Sequence, residues 1–280
     1  MPGLNEWIKV ENDSCSFDFS DLKIWKKKEC IDYAVEKITK KYENFYVALS
    51  GGIDSEFVAN SLLERGINFI PVIVNLETNK IESWFAFKWC YENKKTPLVI
   101  SLSEEEIVNS FLKISNENNI PFYCSPQVLL SKIISGFGGS LLFGGEEFFQ
   151  RDRFLAADMK PMSENLSTDN YSFIVEKINK KHPGGFLTYT PELIVNIVKE
   201  IDYSKPPELA LAEYYGVMPR PKINAHMNLF LNRKIHELKI ETDKDTIVSV
   251  YELGNKNVFL KYAEEKLILK VESQKIKLGS

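Results

Sequence analysis

Short apolar runs alternate with segments of helical periodicity along the first half of the chain. The runs that predict strands are 45–49, 67–76, 97–102 and 140–143. The segments that predict helices are 22–42, 54–65, 80–94, 103–116 and one that begins at Ser125-Pro126 and ends at the glycines 136, 138 and 139. Because strand and helix alternate throughout, the pattern predicts an α/β fold with a doubly wound parallel sheet.

Residues with a preference for helix ends support three of these helices. Gly66 follows the second helix and is expected to end it in the left-handed conformation. Ser103 and Glu106 are spaced as a capping box, and Ser125-Pro126 places a proline in the first turn of a helix. These signals fix where the helices begin or end more closely than the periodicity does.

The second half of the chain has a different character. Residues 156–185 are polar and show little periodicity apart from a short helix near 171–180. Thr190-Pro191-Glu192 is a helix start, so helices are predicted over 191–201 and 206–216, and alternating segments from about residue 237 favour short antiparallel strands. We therefore divide the chain into an N-terminal helical lead-in (1–43), an α/β domain (44–155), a helical and loop region on the substrate side (156–235) and a small β-rich tail (236–280).

Charge and cysteine content argue against several classes of function. The formal net charge of −4 disfavours a general binder of nucleic acid or anionic membranes, although it is compatible with a local basic patch. The four cysteines form no C-x-x-C pair and stand at no metal-ligand spacing from the three histidines. Reduced thiols in a cytoplasmic protein are the simpler interpretation. No run has the features of a signal peptide or a membrane span.

The stretch NFYVALSGGIDS at 44–55 carries the strongest chemical signal. An apolar strand ends at a serine and two adjacent glycines, and an aspartate and a second serine open the next helix. Glycines lack a Cβ atom, so backbone N–H groups can close on phosphate oxygens, and the helix N-terminus adds its dipole. An ordinary tight turn explains the glycines but not two serines and an acid at fixed offsets. The stretch therefore predicts an anion site that is neither a Walker A loop nor a G-x-G-x-x-G loop.

The same residues resemble a known signature. Ser50-Gly51-Gly52-Ile53-Asp54-Ser55 is similar to the S-G-G-x-D-S motif of the N-type ATP pyrophosphatases, also called the PP-loop superfamily, whose fold is adenine nucleotide alpha-hydrolase-like. The resemblance implies ATP as substrate, Mg²⁺ as cofactor and cleavage between the α- and β-phosphates. It further implies that pyrophosphate and metal are held by five loop residues, Ser50, Gly51, Gly52, Asp54 and Ser55, and that adenosine is framed by the backbone of Ala48, Leu49, Val74 and Asn75.

A second motif follows the strand predicted at 140–143. Gly144-Gly145-Glu146-Glu147 with two phenylalanines resembles the G-A-D-E-L-F stretch of the asparagine synthetase synthetase domain. The resemblance implies that Gly144 and Gly145 contact the nucleotide and that Glu147 joins Asp54 as a metal ligand. The acids on their own could equally solvate a loop. Gln150-Arg151-Asp152-Arg153 replaces the glycines that usually follow, and Arg151 could clamp a phosphate or pair with nearby acids.

A third segment bears a weaker likeness to the same family. Met218-Pro219-Arg220-Pro221-Lys222 resembles the region that supplies a catalytic lysine in asparagine synthetase, which would make Lys222 a residue that stabilises developing charge. Two prolines around a basic pair could equally form an exposed turn. Asp54, Arg151 and Lys222 are thus the candidate catalytic residues.

The departures from asparagine synthetase shape the functional hypothesis. Only about 43 residues of the given sequence precede the NFYVALSGGIDS stretch, so we expect this chain not to make ammonia from glutamine itself. The leading hypothesis is an AMP-forming ligase that adenylates a carboxyl or carbonyl acceptor, which ammonia or an amine then attacks. A separate partner is one candidate source of the nitrogen. The alternatives are a PP-loop enzyme that modifies a nucleoside or tRNA, and an ATP-binding protein without turnover. The tail strands could form a subdomain, a partner surface or a homodimer contact.

Overall fold

The computed structural model describes residues 8–11, 14–17, 22–23, 25–75, 80–103, 125–144, 181–205 and 207–219, and single positions between 106 and 118. Its strands are β1 (Ile8–Glu11), β2 (Ser14–Phe17), β3 (Phe45–Ala48), β4 (Phe69–Asn75), β5 (Leu98–Ser101), β6 (Ser140–Phe143) and β7 (Gly184–Gly185). Its helices are α1 (Lys27–Lys41), α2 (Ile53–Leu63), α3 (Lys80–Glu92), α4 (Ser125–Gly136), α5 (Pro191–Glu200) and α6 (Pro207–Tyr215).

Five strands form one parallel sheet in the order β5-β4-β3-β6-β7. The chain runs outward from β3 through β4 to β5, and then returns to place β6 on the other side of β3. This order makes β3 the central strand and puts the change of direction between β3 and β6. The predicted α/β fold with a doubly wound parallel sheet is confirmed.

Helices cover both faces of the sheet because successive strand residues point in opposite directions. Val47 and Leu49 of the β3 segment lie in a core that also contains buried residues of α1, α2, α3, α5 and α6. Tyr46 and Ala48 pack instead against a second core, which α4 and Ile114 complete. Burial on both faces explains why the strand sequences are apolar nearly throughout rather than alternating.

The predicted helix ends are also confirmed. Gly66 has φ of +66°, and the N–H of Ile67 donates to the C=O of Leu62, which is the pattern of a Schellman motif. The N–H of Ser103 donates to Oε2 of Glu106 at 2.7 Å, and the N–H of Glu106 donates back to Oγ of Ser103 at 3.2 Å. The predicted helices at 191–201 and 206–216 are observed as α5 and α6.

The N-terminal part differs from the prediction. The helix predicted from residue 22 begins at Lys27. Before it lies an antiparallel hairpin, in which Glu11 of β1 pairs with Ser14 of β2, and the periodicity gave no sign of it. Strands of four residues are too short to display an alternation that can be told from chance. The strands predicted from residue 237 onward lie outside the described residues.

Two of the cysteines lie in the core. Cys30 of α1 and Cys90 of α3 are free and buried. Burial raises the pKa of each thiol to about 11, so the reactive thiolate form is scarce near neutral pH. Within the described ranges, no helix has both the length and the apolar character that crossing a membrane requires.

A buried histidine ties the segment before β7 to the sheet. Nδ1 of His182 accepts a hydrogen bond from the N–H of Leu141 at 2.8 Å, and its Nε2 lies 2.8 Å from Oγ of Ser135 in α4. Because Nδ1 is an acceptor here, the ring proton resides on Nε2. Burial lowers the pKa of His182 from its ordinary value of 6.5, a hydrogen bond with the backbone of Ser131 opposes this, and Lys181 adds to the lowering.

We expect His182 to make stability depend on pH below neutrality. Since the pKa is lower in the folded chain than in the unfolded one, the unfolded chain binds more protons as the pH falls below 6.5. The free energy of unfolding should then decrease by up to about 1.4 kcal/mol per pH unit, and this contribution should be flat above that pH. Urea unfolding of the wild type and His182→Asn across this range measures it, because Asn Oδ1 can still accept from Leu141. If the free energy of unfolding of the wild type minus that of His182→Asn does not change with pH, His182 is not the source of the pH dependence.

Candidate active site

The candidate site lies where the sheet changes its winding direction. The carboxyl ends of β4, β3 and β6 are neighbours, and the chain leaves β3 for one side of the sheet and reaches β6 from the other. Ligands of doubly wound sheets bind in the crevice at such a position. The SGGIDS stretch leaves the carboxyl end of β3, and Gly144 leaves the carboxyl end of β6.

The loop from Ser50 to Gly52 makes the turn that its sequence predicts. Gly51 is buried and has φ of +90°, a conformation that a residue with a Cβ atom adopts only with strain. Gly52 has an extended conformation and serves as the N-cap of α2 without a capping side chain. The backbone thus enters the helix directly from two residues that present no side chain.

The two serines close a small ring of hydrogen bonds around this turn. The Ser55 hydroxyl donates to the C=O of Gly52 at 2.9 Å, and the N–H of Gly52 donates to Oγ of Ser50 at 3.2 Å. The two hydroxyl oxygens lie 3.1 Å apart. Because the single proton of Ser55 is directed at Gly52, Ser50 is the donor between the hydroxyls. The ring fixes the shape of the turn, and it places both hydroxyls at the N-terminus of α2.

Asp54 occupies the first turn of α2, where a negative charge interacts favourably with the helix dipole. Its Oδ1 atom is shielded from solvent. Ser55, one residue further on, is also buried. A carboxylate at this position next to a phosphate-binding turn is a suitable ligand for a hard divalent cation. In the part of the chain that the structure describes, no three His, Cys, Asp or Glu side chains group closely enough to hold a metal by themselves.

Gly144 is in contact with the start of α2. A Cβ atom at Gly144 would lie 2.8 Å from Cβ of Asp54, 3.1 Å from its carbonyl carbon and 3.2 Å from the nitrogen of Ser55. Only a glycine allows the two backbones to approach this closely. The second motif and the first therefore meet at Gly144, whose contact with the nucleotide stays a prediction.

The four residues expected to frame adenosine lie at the ends of two adjacent strands. Ala48 and Leu49 end the β3 segment, and Val74 and Asn75 end β4. The N–H of Leu49 donates to the C=O of Val72 at 2.8 Å, which continues the strand pairing up to the loop. These positions border the glycine turn on the side opposite to Gly144.

The remaining candidates, Gly145, Glu146, Glu147, Arg151 and Lys222, lie outside the described residues. Their roles stay predictions.

The structure adds a segment that the sequence analysis did not place at the site. The N–H of Phe186 donates to the C=O of Phe143 at 2.9 Å, and the N–H of Leu187 donates to the C=O of Gly144 at 3.0 Å. The turn between β7 and α5 is thereby attached to the same glycine that contacts Asp54. Thr190 ends this turn and caps α5, its Oγ1 accepting from the N–H of Leu193 at 3.4 Å. The cap was visible in the sequence, but the neighbourhood of β7 and β6 was not.

Comparisons with known proteins give only distant structural likenesses. No protein-family model matches the chain, and no curated protein matches it. Among solved structures it is similar to a predicted subunit of tRNA methyltransferase from Methanocaldococcus jannaschii, at 15% identity and a TM-score of 0.36, over 65% of this chain and 94% of that one.

Two further solved structures have similar scores. NMN synthetase from Francisella tularensis is 15% identical with a TM-score of 0.35, over 79% of this chain and 100% of that one. NH₃-dependent NAD synthetase from Campylobacter jejuni is 14% identical with a TM-score of 0.34, over 74% of this chain and 100% of that one. At such low scores and identities these likenesses carry no argument about what this chain does.

Proposed function

We propose that the chain is an ATP pyrophosphatase of the PP-loop superfamily, which binds ATP with Mg²⁺ at the SGGIDS loop and cleaves it to AMP and pyrophosphate. The observation that carries the proposal is the contact between Gly144, which follows β6, and the first turn of α2 at the switch point of the sheet. The turn at Gly51 and Gly52 opens α2, and Gly144 rests on Asp54 in the first turn of that helix.

The residues of the loop suit a pyrophosphate group. The turn lacks Cβ atoms at Gly51 and Gly52, so its backbone can approach phosphate oxygens, and the dipole of α2 favours the negative charge. The hydroxyls of Ser50 and Ser55 lie at the same helix end, and each would redirect its proton from the hydrogen-bond ring to donate to a phosphate oxygen. Asp54 and Glu147 would hold Mg²⁺, which neutralises charge on the phosphates when bound.

We further propose that the reaction is acyl adenylation followed by amidation, as in asparagine synthetase. An oxygen of the acceptor carboxylate attacks the α-phosphorus, the bond to the β-phosphate oxygen breaks, and pyrophosphate leaves. Ammonia or an amine then attacks the activated carbonyl, loses a proton and displaces AMP. Arg151 and Lys222 would stabilise the charge on the phosphate and the attacked carbonyl, and a separate partner could provide the ammonia.

Product analysis tests the proposal on the unmodified protein. The chain is incubated with ATP labelled at the α- and γ-phosphates, Mg²⁺, ammonium and a panel of carboxylates that includes L-aspartate, and the labelled products are separated. We expect AMP and pyrophosphate in equal amounts, dependent on Mg²⁺. Release of ADP and phosphate would contradict the proposed pyrophosphatase activity, because these products come from cleavage between the β- and γ-phosphates. Binding of ATP without any cleavage across the panel would favour an ATP-binding protein without turnover.

A further inference from the structure

An aromatic strip on α3 is exposed to solvent. Trp84, Phe87 and Tyr91 are 56%, 38% and 86% exposed. Their spacing of three and four residues places them on one side of the helix, and Lys88 lies within the same side. We propose that this α3 strip, made of Trp84, Phe87, Lys88 and Tyr91, is a binding surface for single-stranded nucleic acid.

The packing of α3 shows which way the strip faces. Ser83, Ala86, Trp89 and Cys90 are buried and form the inner side of the helix. The indole N–H of Trp89 donates to Oδ1 of Asn60 in α2 at 2.8 Å, so this edge of the inner side faces α2. The strip is on the flank that faces away from α2. Among the described strands β5 forms one edge of the sheet, and its Val99 is 42% exposed on the face that α3 covers.

Lys88 lies among the aromatic side chains of the strip. Its Nζ is 5.5 Å from the centre of the Trp84 ring. Lys94, two residues after the end of α3, is exposed, whereas Nζ of Lys95 lies 4.7 Å from the centre of the buried Phe69 ring. Glu92 is the acid within this stretch, and it forms an exposed pair with Lys88 at 3.8 Å. Lys88 and Lys94 against Glu92 leave residues 84–94 with one net positive charge, whereas the chain as a whole is acidic.

Area and composition favour a nucleic acid over a protein partner. Aromatic side chains of this kind bury about 150–250 Å² each, so the exposed fractions leave roughly 350 Å² of apolar surface. A stable protein interface buries about 800 Å² on each partner, and protein interfaces are depleted in lysine. Exposed aromatic rings with interleaved cations are instead the combination on which the bases of a single strand stack while its phosphates are neutralised.

The direction of α3 relates the strip to the candidate active site. Because α3 follows β4 and returns along the sheet, its N-terminal end lies near the carboxyl ends of the strands, where the SGGIDS loop also lies. Trp84 is the strip residue nearest that end, and Tyr91 is the farthest. A nucleic-acid strand bound along the strip thus has one end directed toward the carboxyl ends of the β-strands, where ATP is proposed to bind. The inference goes beyond the proposed function and does not depend on it.

Fluorescence anisotropy with labelled oligouridylate and oligodeoxythymidylate of about 12 nucleotides tests the proposal. We expect binding that weakens steeply as salt is raised. Trp84→Ala and Tyr91→Ala should each weaken it about tenfold, because each removes one stacking platform. Lys88→Gln should reduce the slope of log affinity against log salt by about 1. The ratio of the affinities for oligouridylate and oligodeoxythymidylate shows whether the strip prefers RNA or DNA.

Phe137→Ala is the matched control. Phe137 is an exposed aromatic residue after α4, and α4 packs against the opposite face of the sheet. Its removal should leave the affinity for both oligonucleotides unchanged. Three results would each overturn the proposal. The first is that neither oligonucleotide binds at low salt. The second is that Phe137→Ala and Trp84→Ala lose the same amount of affinity. The third is that the strip variants alter only self-association or binding to anionic vesicles. Thermal unfolding of every variant confirms that each one is folded.

Discussion

Asp54→Asn is expected to lower the rate of Mg²⁺-dependent pyrophosphate release by about a thousandfold. A bound divalent cation contributes several kcal/mol of charge stabilisation in phosphoryl chemistry, and each 1.36 kcal/mol corresponds to about tenfold in rate. Asparagine keeps the size of the side chain but removes the negative charge that would hold the cation at the start of α2. Steady-state release of pyrophosphate as a function of Mg²⁺ concentration measures the effect, and raising Mg²⁺ should restore part of the rate.

Glu64→Gln provides the control for this variant. Glu64 follows the last turn of the same helix and is exposed, so the substitution changes the net charge equally but at the opposite end of α2. Its activity should match that of the wild type within about twofold, since surface charges at such a distance are screened by salt. Equal rates for wild type and Asp54→Asn would show that Asp54 does not hold the metal.

Gly144→Ala is expected to reduce kcat/KM for ATP about a hundredfold while the chain remains folded. The new Cβ atom would stand 2.8 Å from Cβ of Asp54 and 3.2 Å from the nitrogen of Ser55. Two of its three nearest neighbours are backbone atoms, so a side-chain rotation cannot relieve the contact, and the first turn of α2 must move. A displacement of about 1 Å at a reacting group costs about this much in rate, and overpacking costs about 1–3 kcal/mol in stability.

Gly136→Ala is the control, because it adds the same methyl group at a position away from the first turn of α2. Gly136 ends α4, and a Cβ atom there would meet nothing within 4 Å. Alanine favours helix over glycine by about 1 kcal/mol, so Gly136→Ala should be as stable as the wild type or slightly more so, with unchanged kinetics. ATP titrations and thermal unfolding of both variants decide the matter. A Gly144→Ala protein that cleaves ATP normally would remove Gly144 from the site.

The periodicity predicts the elements of the sheet well because the strands are buried on both faces. The apolar run INFIPVIVNL contains β4, whose Val72 and Ile73 belong to two different cores. The strand order, by contrast, is a long-range property that no local pattern contains. The position of β6 next to β3, which brings Gly144 to Asp54, became evident only from the pairing of Phe45 with Ser140.

Residues that act through tertiary contacts were the ones the sequence did not reveal. His182 lies in a polar segment without periodicity. It is nevertheless buried, and its Nδ1 accepts a hydrogen bond from the N–H of Leu141. The exposed side of α3 was also missed, because a helix with aromatic residues on both sides gives no clear amphipathic signal. The glycine loop could be identified from sequence because its chemistry depends on consecutive residues, from Ser50 to Ser55.

The position of β3 between β4 and β6 has a consequence for the order in which the protein folds. β4 follows β3 after a single helix, whereas β6 pairs with β3 only after two further strands and their connections have been made. Contacts that close long loops form late, and synthesis delivers the N-terminal segments first. A growing chain can thus assemble the unit of β3, α2 and β4 while the glycine that rests on Asp54 has yet to be synthesised. The proposed ATP site would then be complete only late in synthesis, after Gly144 has reached Asp54.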